Sequence, residues 1–382
     1  MSQSDRAGKY RMQLEGYKAF IPEPLPPKPS IKMSTDLALL LSEADQALAR
    51  LDGVASILPN PDFFVAMYVR YEAVLSSQIE GTQSSLDDLL EFEVSDRKQK
   101  PIYDVDEVYN HVSAINYGLE RIKNLPLSLR LLREIHEKLM KDVRGQEKTP
   151  GEFRRRQNWI GPANCTINDA IFVPPPVQEM HQMLDNLEKF LHQKRIYPVL
   201  IHCGLIHAQF ETIHPFLDGN GRVGRLLITF LLCQREILQR PLLYLSHYFK
   251  KHKIEYYDRL MAVRNTGDWE GWLEFFLKGV LEVSKQAKDT AHKIIDMQKV
   301  QRELIRKEMK NNTYAFHLHD YLFRKPFLNS QLARNALQCS PATSIKLLSK
   351  FTELGLLKEV TGSQRYRIYR FSPYLELFDS KI

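Results

Sequence analysis

Residues 214–225 read His214-Pro215-Phe216-Leu217-Asp218-Gly219-Asn220-Gly221-Arg222-Val223-Gly224-Arg225. An apolar run follows, through Leu226, Leu227, Ile228, Phe230, Leu231 and Leu232, and predicts a buried helix that starts among the glycines. The first turn of a helix has N–H groups without helical partners and a partial positive charge, which together suit an anion such as phosphate. Glycines there let the main chain approach the anion and take φ > 0 where a nest of N–H groups needs it. Arg222 and Arg225, three apart, share a helix face and read as a guanidinium clamp for phosphate or carboxylate oxygens. Asp218 is an oxygen ligand where a Mg²⁺ bridging phosphates could sit. His214, just outside the anion site, can take a proton near neutral pH. Singly, these features are a helix cap, a turn and two surface arginines; together they point to a nucleotide-phosphate site.

The stretch resembles the signature of the Fic family, H-x-F-x-[DE]-G-N-G-R-x-x-R, matching it at His214, Phe216, Asp218, Gly219, Asn220, Gly221, Arg222 and Arg225. The resemblance implies a mainly α fold: a Fic-type helical core with a β-hairpin flap. It implies ATP and Mg²⁺ as cofactors and transfer of AMP to a Tyr, Thr or Ser hydroxyl of a target protein. Asp218 would hold Mg²⁺, Asn220 the α-phosphate, and Arg222 and Arg225 the β- and γ-phosphates, with Val223 and Gly224 in the same nucleotide-binding turn. His214 would take the hydroxyl proton, and Phe216 would anchor the loop.

A second pattern lies upstream. Ser76 and Glu80 fall one helical turn apart and Gly81 follows, which on composition alone is a polar helix end. Ser76 to Gly81 is similar to the inhibitory pattern [ST]-x-x-x-E-[GN] of many Fic proteins. That likeness implies that Glu80 pairs with Arg225 and competes with the γ-phosphate for the same donors, within one chain. The same carboxylate could instead orient a water and remove AMP from modified proteins; both directions stay open on sequence.

The chain has 382 residues, 43% apolar and 26% charged, with net charge +7: an ordinary composition for a folded protein, and one that permits an acidic partner without demanding one. Cys165, Cys203, Cys233 and Cys339 show no C-x-x-C spacing, so reduced cysteines in a cytoplasmic protein are expected. Ile196 to Phe210 lacks Asp, Glu, Lys and Arg but carries two histidines and is shorter than a membrane span of roughly 20 residues, so no membrane partner is expected.

Residues 1–30, with Pro22, Pro24, Pro26, Pro27 and Pro29, read as an extended surface arm. Residues 31–100 read as helices: one from Ile31 with Gly53 as its stop, one over Phe63–Ile79, and one from Ser85 with Asp88 as a capping box. Residues 101–311 read as the catalytic domain. In it, Ser128 caps a helix whose His136 is given no role, and residues 149–176 read as a hairpin with strands over 156–160 and 170–173. The resemblance makes this hairpin the flap that receives the target as an added strand, with Ile160, Gly161 and Ala163 nearest the nucleotide. It also makes Tyr256, Tyr257 and Asn265 candidates for the adenine side. His202 and His207 read as structural.

Residues 312–382 change character: a helix over 328–338, another from Ser340, and a hairpin, which resembles a winged helix. From Ala315 onward ten Lys and Arg face five Asp and Glu. Thr343, Ser344, Lys346 and Lys350 would face a DNA groove, with Arg365 and Arg367 on the wing; a protein-docking or homodimer module is the alternative. A DNA-binding regulator with a nucleotide sensor is the rival to an enzyme, and self-modification is left open.

Overall fold

A computed structural model describes residues 6–58, 61–94, 104–143, 148–362 and 366–379. Most of the connection expected at 93–103, and Arg365, lie outside these. The fold is mainly helical, as the periodicity predicts. The apolar helix after the glycines is α8 (Asn220–Gln234), and its core face includes Val223, Leu227, Phe230 and Leu231. Helices α2 (Pro61–Ile79), α4 (Val105–Arg121), α5 (Leu129–Leu139) and α7 (Val199–Ile213) pack against it. Burying a helix on several sides is what its nearly unbroken apolar sequence requires.

Local signals place several ends. Ser34 Oγ accepts from Leu37 N at 3.2 Å to start α1 (Thr35–Ile57). Ser85 and Asp88 form the expected reciprocal cap of α3 (Leu86–Val94): the Ser85 N–H donates to Asp88 Oδ2 at 2.8 Å, and the Asp88 N–H donates to Ser85 Oγ at 3.1 Å. Ser128 caps α5, accepting from Leu131 N at 3.4 Å. Gly53 does not stop α1, which continues to Ile57, because packing against the long helix α11 (Trp269–Met309) outweighs one glycine.

Residues 6–30 are not a loose arm. β1 (Gly8–Met12) and β2 (Lys18–Pro22) form an antiparallel hairpin running from Gly8↔Pro22 to Met12↔Lys18. Phe20 is wholly buried and its N–H donates to Val173 O at 2.9 Å. The buried Arg6 bonds Glu270 at 2.8 Å and the carbonyls of Pro29 and Ser30. The prolines exclude helix, as read, but the buried residues Ala7, Ala19, Phe20 and Leu25 give the segment core contacts that proline counting misses.

After α6 (Val177–His192) and the motif pair α7 and α8 come α9 (Ser246–Lys251), α10 (Lys253–Thr266) and α11. The C-terminal part runs α12 (Thr313–Arg324), β3 (Phe327–Asn329), α13 (Ser330–Leu337), α14 (Pro341–Glu353), β4 (Lys358–Glu359), β5 (Ile368–Arg370) and α15 (Ser372–Asp379), with an antiparallel sheet in the order β3-β5-β4. The helix expected from 328 starts later, because Leu328 pairs with Tyr369 in the sheet. This part rests on the N-terminal helices: Arg370 Nε reaches Asp87 at 2.8 Å, and Phe378 packs edge-on to Tyr68 at 5.5 Å. Among the described residues no helix is long and apolar enough to cross a membrane.

Candidate nucleotide site

The floor of the site is the loop between α7 and α8. His214 ends α7 in the left-handed conformation, φ 49 and ψ 61, and its N–H still donates to Phe210 O at 2.9 Å. Its carbonyl accepts from Arg154 Nε at 3.0 Å and Asn158 Nδ2 at 3.3 Å. Phe216 is fully buried, with its ring stacked on His136 at 3.8 Å. His136 is therefore neither solvated nor idle. Its Nδ1 accepts from Gly151 N at 2.9 Å, so Nε2 carries the hydrogen and donates to Asp218 O at 3.0 Å. One ring thus joins α5, the start of the flap segment and the motif loop. Burial, with Arg222 nearby, holds its pKa down to about 4, neutral as this bonding needs.

Asn220 closes the floor. Its Oδ1 accepts from Phe216 N, and its Nδ2 donates to Phe216 O, both at 2.8 Å. The side chain expected on the α-phosphate instead ties the loop. What remains for an anion is main chain: Val223 N is the first to bond back, to Gly219 O at 3.0 Å, which leaves the N–H groups of Asn220, Gly221 and Arg222 at the helix mouth. Gly219 stands at φ 76, a conformation glycine allows without strain. Val223 is not at the mouth but in the core, and a Cβ on Gly224 would meet Glu211 Oε1 at 2.3 Å, so these two serve packing.

The rim is made by charges. Arg225 is buried; its Nε donates to Ser76 Oγ at 2.8 Å, and one Nη donates to Ser76 O at 2.9 Å and Glu80 Oε1 at 2.6 Å. A Cβ on Gly221 would lie 2.2 Å from that same Glu80 oxygen, so the carboxylate rests on the first turn of α8. Desolvation pushes the Glu80 carboxyl up, but the charge and hydrogen bond of Arg225 outweigh it and leave its pKa below the usual value. The end of α2 is held there by others: Lys250 Nζ reaches Gln78 Oε1 at 2.7 Å, and Lys253 Nζ reaches Ile79 O at 2.6 Å. Gly81, at φ 102, turns the chain away.

Arg222 does not share partners with Arg225. It is buried against Glu107 Oε2 at 3.2 Å and faces Asp218 Oδ1 at 3.7 Å, and its Nε has no partner among the described residues. Asp218 takes the Gly219 N–H at 2.6 Å and the Lys148 ammonium at 2.9 Å. Desolvation raises the Asp218 carboxyl, while Lys148 and then Arg222 bring its pKa below the ordinary range.

His214 sits at the edge. Burial lowers its pKa first, then Arg264 and Arg154, to about 4, so the ring is a neutral base at pH 7. Its Nδ1 lies 3.4 Å from Glu211 O, which makes Nδ1 the protonated nitrogen and leaves the Nε2 lone pair free to accept. Glu211 and Glu72, both buried near Arg225, have their carboxyls pushed up to about 7 by burial.

The remaining candidates divide. The expected hairpin is a single bridge, Ile160↔Phe172, with hydrogen bonds at 2.8 and 3.1 Å, and Gly161 and Ala163 lie exposed at its tip. It is Arg154 and Asn158, at the base of this segment, that reach the motif. Tyr256 is core: its hydroxyl meets His207 Nε2 at 2.9 Å, and its ring stacks on Phe249. Tyr257 is 40% exposed, and Glu80 and Arg225 act on its hydroxyl. Asn265 accepts from Tyr10 OH at 3.2 Å and lines a cavity of about 560 Å³ with the flap segment and the N-terminal hairpin. In α14, Ser344 faces inward onto Pro341 O, and Lys350 pairs with Glu353, so the outward basic surface is smaller than expected.

A helix mouth, a neutral imidazole and charged side chains at the rim define an anion site suited to a nucleotide. Residues 38–120 match the Fic/DOC family N-terminal model, and residues 126–232 match that of the Fic/DOC family. The protein adenylyltransferase Fic of Aedes aegypti is 31% identical over 155 residues, 40% of this chain and 28% of that one. A probable protein adenylyltransferase of Aquifex aeolicus is 26% identical over 175 residues, 46% of this chain and 51% of that one. The chain thus spans between about a quarter and a half of the length of these relatives. A Fic family protein of Desulfovibrio desulfuricans shares the fold with TM-score 0.57 and 18% identity, over 90% of this chain and 97% of that one. A Fic domain containing signaling protein of Bacteroides thetaiotaomicron does so with TM-score 0.50 and 18% identity, over 65% of this chain and 97% of that one. The chain carries a Fic N-terminal domain followed by a Fic domain, and both sequence patterns, Ser76–Gly81 and His214–Arg225, fall inside the matched residues.

Proposed function

We propose that the protein is an adenylyltransferase that moves AMP from ATP to a hydroxyl of a target protein, and that Glu80 restrains it. The observation that carries this is the position of Glu80 Oε1, on both Arg225 and the first turn of α8, where a phosphate would take the same donors. With Glu80 withdrawn, the N–H groups at the helix mouth and Arg225 hold the triphosphate. They stabilise the charge that develops as the α-phosphorus is attacked. His214 Nε2 takes the hydroxyl proton, the hydroxyl oxygen bonds to the α-phosphorus, and the bond to pyrophosphate breaks.

Mg²⁺ fits the residues present. Asp218 offers one carboxylate, and its Oδ2 already holds a cationic group, the Lys148 ammonium. Mg²⁺ at nucleotide sites is commonly bound by one or two carboxylates, with phosphate oxygens and water completing the shell. Bound there, it would neutralise phosphate charge. The target segment lies along the flap, in the cavity lined by Tyr10, Tyr17, Ala170, Ile171 and Asn265. The main chain of Ile171 has no partner among the described residues and can bond an added strand.

The test is the mass of the Glu80→Gly protein after incubation with Mg·ATP, alone and with cell extract. Gain of one AMP on the protein or on a target, absent with the wild type, is expected. No gain on any protein removes the reading. A second reading, removal of AMP, is favoured by one detail: Glu80 bonds Arg225 through Oε1 alone, and Oε2 has no partner among the described residues, so it can orient a water. Loss of AMP from a modified target with the wild type but not with Glu80→Gly would establish that direction. The C-terminal part runs helix, strand, two helices and two strands, an order similar to a winged helix, and we assign it to docking rather than to DNA, since Ser344 is turned inward and the charge of Lys350 is paired with Glu353.

A further inference from the structure

Asp218 and Glu80 both already hold partners of opposite charge. At Arg225 the partner is an anion, Glu80, just past the end of α2. At Asp218 it is a cation from the segment that precedes the flap: Lys148 Nζ lies 2.9 Å from Oδ2, and both side chains are a little over one third exposed. The main chain aims this lysine. Thr149, next to it, stands at φ 54, which is an outlier conformation for a β-branched residue. Such a conformation persists where neighbours over-determine it, often at functional sites. The neighbours here are visible: Gly151 N donates to His136 Nδ1 at 2.9 Å, and Gly151 O accepts from Arg133 Nε at 2.7 Å. The ring of His136 in turn donates to the Asp218 carbonyl at 3.0 Å. One imidazole thus fixes both ends of the Lys148–Asp218 pair.

We propose that Lys148 holds the cation position of Asp218 until a divalent cation arriving with the nucleotide displaces it. The site itself then carries an internal copy of the charge pair it will bind: Glu80 stands where a phosphate goes and Lys148 where the metal goes. Lys148 is a positioning residue, since it acts through Asp218. This rests on the nucleotide reading above. It differs from simple support of the loop in the sign of its effect: removing a supporting residue weakens metal-dependent binding, whereas removing a competitor strengthens it.

The experiment is calorimetric titration of ATP into the Glu80→Gly protein at graded Mg²⁺, with the Mg²⁺ concentration that gives half-maximal binding as the readout. Lys148→Met and Lys148→Gln are compared with Lys148→Arg in the same background. A pair exposed to this degree is weak, so we expect the two neutral variants to lower the midpoint by about three- to fivefold, while arginine leaves it near that of the parent. A midpoint that stays put or rises in the neutral variants overturns the role of Lys148 and leaves the nucleotide reading standing. No binding of ATP to the parent at any Mg²⁺ concentration overturns both.

Discussion

The floor and the rim of the site are built from the same kinds of side chain and behave in opposite ways. On the floor, His136, Asn158, Arg154 and Asn220 bond to main-chain atoms of the motif loop, and each lies deep in the protein. No ligand can satisfy those carbonyls and N–H groups better than the side chains already do, so the loop is fixed before any nucleotide arrives. At the rim, Glu80 on Arg225 and Lys148 on Asp218 are side-chain ion pairs with one or both partners partly exposed. A phosphate and its cation can replace such pairs charge for charge. Main-chain bonds preorganise the loop, whereas the rim is held by ion pairs that a ligand of like charge can exchange.

The largest expected effect separates chemistry from both. His214→Ala, made in the Glu80→Gly background, should reduce AMP transfer by about 10² to 10⁴-fold, the usual worth of a positioned general base. ATP binding by calorimetry should stay within a few fold, because His214 is at the edge and not among the donors of the helix mouth. Loss of binding in step with transfer would place His214 on the floor instead.

Phe216→Ala attacks the floor itself. The ring is wholly buried between His136, Phe153 and Phe210. Its removal should cost about 3–5 kcal/mol of stability in chemical denaturation, and nucleotide binding should fall with it. The same truncation at the rim, Glu80→Ala, should leave stability within about 1 kcal/mol and increase binding. If both variants lost stability equally, the contrast between the two zones would not hold.

The motif, several helix starts and the mainly helical class were legible in the sequence, because each depends on residues close together in the chain. What was hidden depends on distance. Lys148 meets Asp218 across seventy residues, Glu107 meets Arg222 across more than a hundred, and Phe20 reaches Val173 from the far end of the chain. His136 looked idle because its partners, Gly151 and Asp218, come from two other segments. The one local signal that could have exposed it is its place among Leu132, Ile135 and Leu139 on the buried face of α5, beside which an imidazole needs partners. The place of the Asn220 side chain was hidden for a different reason: a side-chain amide can bond a phosphate or a main chain equally well, and only the loop's path decides.

Acid should act mainly through buried imidazoles. His136, His202 and His214 are held down to about 4, and His207 and His319 to about 3, in each case by burial first. The unfolded chain binds these protons near pH 6.5, so their contribution is complete above that pH and is lost as pH falls toward 4. Glu72 and Glu211, raised to about 7, work in the other sense, gaining stability as pH falls from 7 toward the usual carboxyl value. With His111, which burial also holds well below the usual value, six imidazoles outnumber the two carboxyls, so the melting temperature should fall by several degrees from pH 7 to pH 5. Transfer by the Glu80→Gly protein should survive that range wherever the fold does, since His214 stays unprotonated. Loss of activity with a midpoint near 6.5, in protein still folded by circular dichroism, would mean that the imidazole is not shielded as its surroundings require.

The smallest effect tests whether the rim is held from behind. Lys253 caps the C-terminal end of α2 through Ile79 O, next to the glutamate that covers Arg225, and Lys250 holds Gln78 one residue earlier. A cation at a helix C-terminus is favoured by the helix dipole as well as by the hydrogen bond, together worth about 1 kcal/mol on a partly exposed side chain. Lys253→Met should therefore not harm the site but loosen its cover, raising ATP affinity in the otherwise wild-type protein by about three- to fivefold. In the Glu80→Gly background the same substitution should do nothing, because there is no longer a carboxylate for the helix end to deliver. An equal gain in both backgrounds would show that the Lys253 side chain crowds the nucleotide directly, and the cover would then depend on Arg225 and Ser76 alone.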